Sequence, residues 1–360
     1  MDAYTPICVL GESAHSIVIK AKHIQSGEMV AIKRLKRSFQ DWNEVLQLSE
    51  IQSLRKLRGH LNVVKLNTVV KQKTTIALIF ELMDSNLYEV MRHRQQKLGE
   101  ASSNRAQMQT SPAFSENEIR SVICQILLGL QYVHSADFFH RNIQPENLLV
   151  GGDVVKLADF GVAKDRCMKP PYTNYIDARW YQAPEVQLRS PSYGPAVDVW
   201  AVGTIMAELY LGRPLFPGSS DGDQLYKVFG VVGQPTRQSW PDGCQLLDQQ
   251  GIRSAAPLGV TPLHEIIPSA SEEAIQAMTS MLCCNPAQRP TVAECLQLPY
   301  FSQFVPHDSR AETVAENDRL QGMRSSRFCG IASGKPHDPY HDAEQYMKPP
   351  EVPRHAIPVA

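Results

Sequence analysis

The residues able to do chemistry fall in three short stretches. His140-Arg141-Asn142 is followed by Gln144-Pro145-Glu146-Asn147, and twelve residues after Asn147, behind Val155-Lys156-Leu157-Ala158, comes Asp159-Phe160-Gly161. Upstream, Lys33 closes the run Val30-Ala31-Ile32-Lys33, and Glu50 lies in Leu48-Ser49-Glu50-Ile51. Two of these side chains are chemically muted. An amide accepts no proton near neutral pH, so Asn142 cannot serve as a general base, and Gln144 carries no positive charge. Taken singly, each feature has an ordinary reading: a solvated strand lysine, a helix-surface glutamate, a chance D-F-G. Their order and spacing together argue for a site.

Two kinds of element must position these residues. Residues 5 to 80 read mainly as strands, with Val30-Ala31-Ile32-Lys33 and Ile76-Ala77-Leu78-Ile79-Phe80 as β-favouring runs. Between them Val45, Leu48, Ile51, Leu54 and Leu57 recur at helical spacing, which predicts one amphipathic helix over 43 to 57. From about residue 84 the pattern is helical. Ser115 and Glu118 have capping-box spacing ahead of the apolar stripe Ile119, Val122, Ile123, Ile126, Leu127, Leu130 and Val133. Residues 197 to 211 are apolar on nearly all faces, predicting a buried helix with Gly212 as its stop, and Thr291 with Glu294 opens a late helix. Residues 94 to 113, rich in Gln, Ser and Asn, read as a flexible insertion, and 303 to 360 as a largely disordered polar tail.

Composition bounds the rest. The 360 residues, 43% apolar and 20% charged, describe an ordinary soluble globular protein and suit one large domain or two lobes. A net charge of −1 offers no global field for nucleic acid or anionic membrane, and no basic stripe appears. No run approaches the roughly 18 apolar residues of a membrane span, and Met1 to Thr5 lacks the blocks of a signal peptide. The eight cysteines form no C-x-x-C pair, which suits reduced thiols of the cytosol or nucleus.

The motifs resemble those of eukaryotic protein kinases. His140 to Asn147 is similar to the catalytic loop H-R-D-x-K-P-E-N, Val30 to Lys33 to V-A-I-K, Asp159 to Gly161 to D-F-G, and Ala183-Pro184-Glu185 to A-P-E, with Arg289 placed to pair with Glu185. Asp198-Val199-Trp200-Ala201-Val202-Gly203 resembles the D-x-W-x-x-G helix start. The resemblance spans residues 4 to 301 and implies an α+β bilobal fold: a small β-rich lobe with one regulatory helix (4–82) and a larger, mainly helical lobe (84–301). Arg179-Trp180-Tyr181 and the extra segment around 213 to 262 resemble the CMGC group. Within it, Glu81-Leu82-Met83-Asp84 and the lip around Thr173-Asn174-Tyr175 look most like the MAPK/MAK/MRK-overlapping kinase and its MAK-like ciliary relatives.

That resemblance implies ATP and Mg²⁺ as cofactors. Lys33 would reach the α- and β-phosphates, held by Glu50, while Asn147 and Asp159 would bind the metal. Backbone groups of Glu81 and Met83 would hold the adenine, with Leu10, Gly11, Val18, Ala31, Phe80 and Leu149 around it. In the phosphate-covering loop Ser13 and Ser16 replace two of three glycines. Serine is small and its hydroxyl can donate, which weakens rather than excludes nucleotide binding. Arg141 would pair with a lip residue, Thr173 or Tyr175, phosphorylated by an upstream kinase.

The departures cluster on the substrate side. Asn142, Gln144 and Ala178 stand where active Ser/Thr kinases carry a hydrogen-bonded Asp, Lys and Thr, and Gln182 replaces an arginine. The reading is an ATP-binding pseudokinase that acts through a regulatory protein partner. The alternatives are an active kinase with protein substrates and an unusual loop, or a nucleotide-free structural protein. Placement in the cytoplasm, nucleus or cilium follows the resemblance alone.

Overall fold

The computed structural model describes residues 3–101, 113–165, 179–252 and 259–302, with the backbone of 355–358. The first lobe is an antiparallel sheet of β1 (Tyr4–Glu12), β2 (Ser16–His23), β3 (Met29–Leu35), β4 (Leu66–Gln72) and β5 (Thr75–Glu81), in the order β1-β2-β3-β5-β4. Alternation decides which face each side chain takes. Ile76, Leu78 and Phe80 of β5 enter the main core, while Ala77 and Ile79 pack on the opposite face with Ala21, Val30 and Ile32.

The helix expected over 43 to 57 is broken. α1 (Trp42–Leu46) and α2 (Ser49–Lys56) are separated by Gln47 and an extended Leu48, whose ψ is 127°. Both pieces turn their apolar residues into one core, so the periodicity survives the break. Asp41 caps α1 by accepting from the Glu44 amide at 2.9 Å. The second start places Glu50 in the first turn of α2.

The second lobe begins with β6 (Ser85–Asn86) and α3 (Leu87–Ala101). Residues 94 to 101, expected in a flexible insertion, instead continue α3. Arg94 lies over the Phe114 ring at 4.2 Å and bonds Glu118 at 3.0 Å. Residues 102–112 lie outside the described residues. α4 (Glu116–Ser135) carries both halves of the Ser115–Glu118 capping box and buries its predicted stripe. After it come β7 (Phe138–Phe139), β8 (Leu148–Gly151), β9 (Val154–Leu157) and β10 (Lys164–Asp165), then α5 (Pro184–Gln187) and α6 (Ala196–Leu211). α6 is buried from Val197 to Tyr210 and stops at Gly212, whose φ of 68° suits a residue without a Cβ.

Around α6 pack α7 (Asp221–Val232), α8 (Pro241–Gln249), α9 (Leu263–Ile266), α10 (Glu272–Met281), α11 (Val292–Leu296) and α12 (Pro299–Ser302). Thr291 and Glu294 form the second expected capping box. Glu185 of α5 and Arg289 make a buried bidentate pair at 2.7 and 2.6 Å. Of the tail expected to lack structure, 355–358 form β11 (His355–Pro358), antiparallel to β4.

Candidate active site

Lys33 projects from β3, next to Val18 on β2 and Leu78 on β5. Its ammonium donates to both Glu50 carboxylate oxygens, at 2.8 and 2.9 Å, and to Asp159 Oδ1 at 2.8 Å. Asp159 reaches it from a left-handed backbone, φ 62°, directly after β9 and Ala158. Phe160, fully buried, locks that turn by meeting the His140 ring edge-on at 4.6 Å. Burial works against all three charges. For Lys33 the two carboxylates outweigh it and raise the pKa, and for Asp159 the lysine outweighs it and lowers the pKa. Sequence reading placed these three residues together, and the structure brings them into contact.

The loop from His140 to Asn147 is anchored from below. Asp198, in the first turn of α6, accepts the backbone N–H groups of His140 and Arg141, each at 2.8 Å, and lies 2.9 Å from His134 Nε2. Burial opposes its charge, but these donors keep its pKa low. His140 is fully buried, which lowers its pKa against the pull of Asp198 and Asp159, and it meets the Ala158 carbonyl at 3.0 Å. The anchoring role of Asp198 was missed in the sequence. A carboxylate in the first turn of a helix that is apolar on nearly all faces was its signal.

Asn142 is buried, and its side-chain Nδ2 donates to Asp159 Oδ2 at 3.1 Å. Gln144 Nε2 in turn donates to Asn142 Oδ1 at 3.1 Å. Asn147 Nδ2 donates to the Asn142 carbonyl at 2.9 Å, which leaves its Oδ1 as the oxygen suited to a metal. Asp159 and Asn147 therefore supply the hard oxygen donors that Mg²⁺ takes, so the pair fits the ion. Arg141, φ 69°, extends to the Val162 carbonyl at 3.1 Å and to the Tyr193 hydroxyl. Thr173, Tyr175 and Ala178 lie outside the described residues.

The expected adenine-side residues fall along one strip of sheet: Gly11 opposite Val18, Val18 opposite Lys33, and Ala31 opposite Phe80. Leu149 is on β8, and Leu10 is exposed. The Glu81 side chain is held by Lys156 Nζ at 2.9 Å and the Lys65 amide at 2.7 Å. Met83 packs so closely on the β8–β9 turn that a Cβ at Gly151 would lie 2.9 Å from its Cε.

At the hairpin tip the serines are turned inward. Ser13 Oγ accepts the amides of Ser16 at 3.1 Å and His15 at 3.2 Å, and donates to the Ser16 carbonyl at 3.3 Å. The Ser13 hydroxyl expected to face a nucleotide is spent on the tip itself.

A further buried acid was not anticipated. Glu208 of α6 accepts the Tyr181 hydroxyl at 2.8 Å, and burial, reinforced by Glu146, raises its pKa to about 7. Among the described residues no helix is long and apolar enough to cross a membrane.

Comparison with known proteins agrees with this geometry. Residues 4–301 match the protein kinase domain family model. The chain is 45% identical over 341 residues to the human serine/threonine-protein kinase MAK, covering 93% of this chain and 52% of that protein. It is 42% identical over 308 residues to the rat serine/threonine-protein kinase ICK, covering 84% of this chain and 45% of that protein. With cyclin-dependent kinase F-3 of Oryza sativa subsp. japonica it shares 40% over 353 residues, 97% of this chain and 77% of that protein. The chain thus spans about half the length of the MAK and ICK relatives. By these matches the chain belongs to the protein kinase domain family, in the CMGC group of serine/threonine kinases.

Proposed function

We propose that this chain binds ATP in the cleft between the sheet and the 140–161 segment, and that it transfers phosphate to Ser/Thr hydroxyls only slowly. Lys33, held by Glu50, would take the phosphates. Asn147 and Asp159 would hold Mg²⁺, which supplies neutralisation of phosphate charge. The adenine would rest against Val18, Ala31, Phe80 and Leu149, on the backbone of Glu81 and Met83. One observation carries the reading: the ATP-side lysine is fully engaged while an amide, not a carboxylate, sits at 142 and donates toward Asp159.

The chemistry sets the rate. Loss of a positioned base costs about 10²–10⁴ in rate, and loss of an electrostatic contact to developing charge roughly 3–4 kcal/mol. These losses do not simply add. A slow enzyme of this shape acts mainly through contacts with a regulatory protein partner. Phosphorylation of Thr173 or Tyr175 by an upstream kinase would gate them, in the cytoplasm, nucleus or cilium.

The decisive experiment compares peptide phosphorylation by the purified chain with that of Asn142→Asp/Gln144→Lys/Ala178→Thr, with ATP binding measured in parallel. A parent slower than the triple variant by about 10² or more supports the proposal. Turnover by the parent in the ordinary range of roughly 1–100 s⁻¹, abolished by Asp159→Asn, overturns it. That outcome would establish the second reading, an active kinase in which Asn142 orients the substrate hydroxyl. The relatives favour that reading, since they are named as serine/threonine-protein kinases.

A further inference from the structure

We infer that Gln144 and Asn142 form a donor relay that holds Asp159 in place before Mg²⁺ arrives, so that nucleotide binding in this cleft depends on Mg²⁺ less than it would with a carboxylate at 142. The inference rests on the ATP-binding reading above and concerns how that site is kept ready. The relay has a direction. Gln144 Nε2 donates to Asn142 Oδ1, so the Asn142 carbonyl is occupied and its NH₂ group faces Asp159 Oδ2. The Asn147 bond to the Asn142 backbone carbonyl fixes the loop underneath. Asp159 Oδ1 is meanwhile held by Lys33. Both carboxylate oxygens of the metal-binding aspartate are thus satisfied by the protein, and its position is set with no cation needed.

Electrostatics give the consequence. A carboxylate at 142 would lie against Asp159 at the 3.1 Å now spanned by the Asn142 donor bond. Two anions that close repel strongly in a partly buried site, and a cation is the natural remedy. The amide replaces repulsion with a hydrogen bond. What Mg²⁺ would do to hold Asp159 in place, the amide already does. Asn142 therefore acts as a positioning residue for Asp159.

The test measures the affinity of a fluorescent ATP analogue for the full chain in MgCl₂ and in EDTA, with no turnover involved. For the parent, the loss of affinity on going from MgCl₂ to EDTA should be smaller than for Asn142→Asp. For Asn142→Asp, affinity in EDTA should fall by roughly tenfold or more while affinity in MgCl₂ holds. Gln144→Leu, which removes the relay without adding charge, should shift the ratio the same way by less. It also serves where Asn142→Asp fails to give a native circular dichroism spectrum. A parent that binds only with Mg²⁺, or variants whose ratio matches the parent's, overturns the relay and leaves ATP binding intact. A parent that binds in neither condition overturns the ATP-binding reading itself, and the relay with it.

Discussion

Arg289 closes on Glu185 with two parallel hydrogen bonds, 2.7 and 2.6 Å, and spends its other donors on the carbonyls of Cys283, Ala196 and Cys284. Neither side chain of the pair sees water. One charge cluster thus ties α5, the start of α6 and the segment after α10 together. Removing one partner leaves the other charge buried and alone. Arg289→Met should therefore lower unfolding free energy by about 3–5 kcal/mol, read as a fall in the urea midpoint. Replacing both partners together with apolar residues should cost less than the single change.

The Lys33 ammonium balances two carboxylates, one of them buried. Lys33→Met should weaken ATP binding by roughly 2 kcal/mol or more, measured by fluorescence titration. It also leaves Glu50 buried without its counter-charge, so the variant should gain stability on acidification as Glu50 protonates. Melting temperatures of variant and parent at a series of pH values would reveal this as a difference in slope.

Glu208 gives the parent its own pH signature. Its folded pKa, raised from 4.5 to about 7, means that the native state holds a proton there which the unfolded chain has released. Stability from this group is fully present below about pH 4.5 and declines as pH rises toward 7, by on the order of 3 kcal/mol. Glu208→Gln keeps an acceptor for Tyr181 and should flatten that part of the stability profile.

Asp198 acts in the opposite sense. Its pKa is held low against burial by His134 and the loop amides, so its contribution is present above the ordinary aspartate range and is lost as pH falls through its folded value. Asp198→Asn puts an NH₂ group where N–H donors converge. It should loosen the 140–147 loop, and hydrogen exchange at the His140 and Arg141 amides should accelerate.

The motif residues were legible because their chemistry is local and ordered along the chain. Lys33, Glu50 and Asp159 meet as their motifs imply, and Arg289 finds Glu185. The two capping boxes were legible because each needs only four consecutive residues. The break between α1 and α2 was not, since Val45, Ile51 and Leu54 face one core on both sides of it. The helical run through Ala101 was hidden for a different reason. Its second half leans on Arg94, whose partners Phe114 and Glu118 lie about twenty residues away. The direction of the Asn142 amide was also invisible: the letter N gives an acceptor and a donor, and only the fold chooses which faces Asp159.

The knotted serines at the tip of the first hairpin carry one more consequence. Bare glycines let such a tip flutter over a bound molecule, whereas here Ser13 clasps His15 and Ser16 into a stiff cap. A stiff cap must tilt as a unit to admit or release its guest. The quantity it governs is residence time, not equilibrium strength. Ser13→Gly should quicken escape of a fluorescent nucleotide in stopped-flow displacement while leaving the dissociation constant nearly where it was.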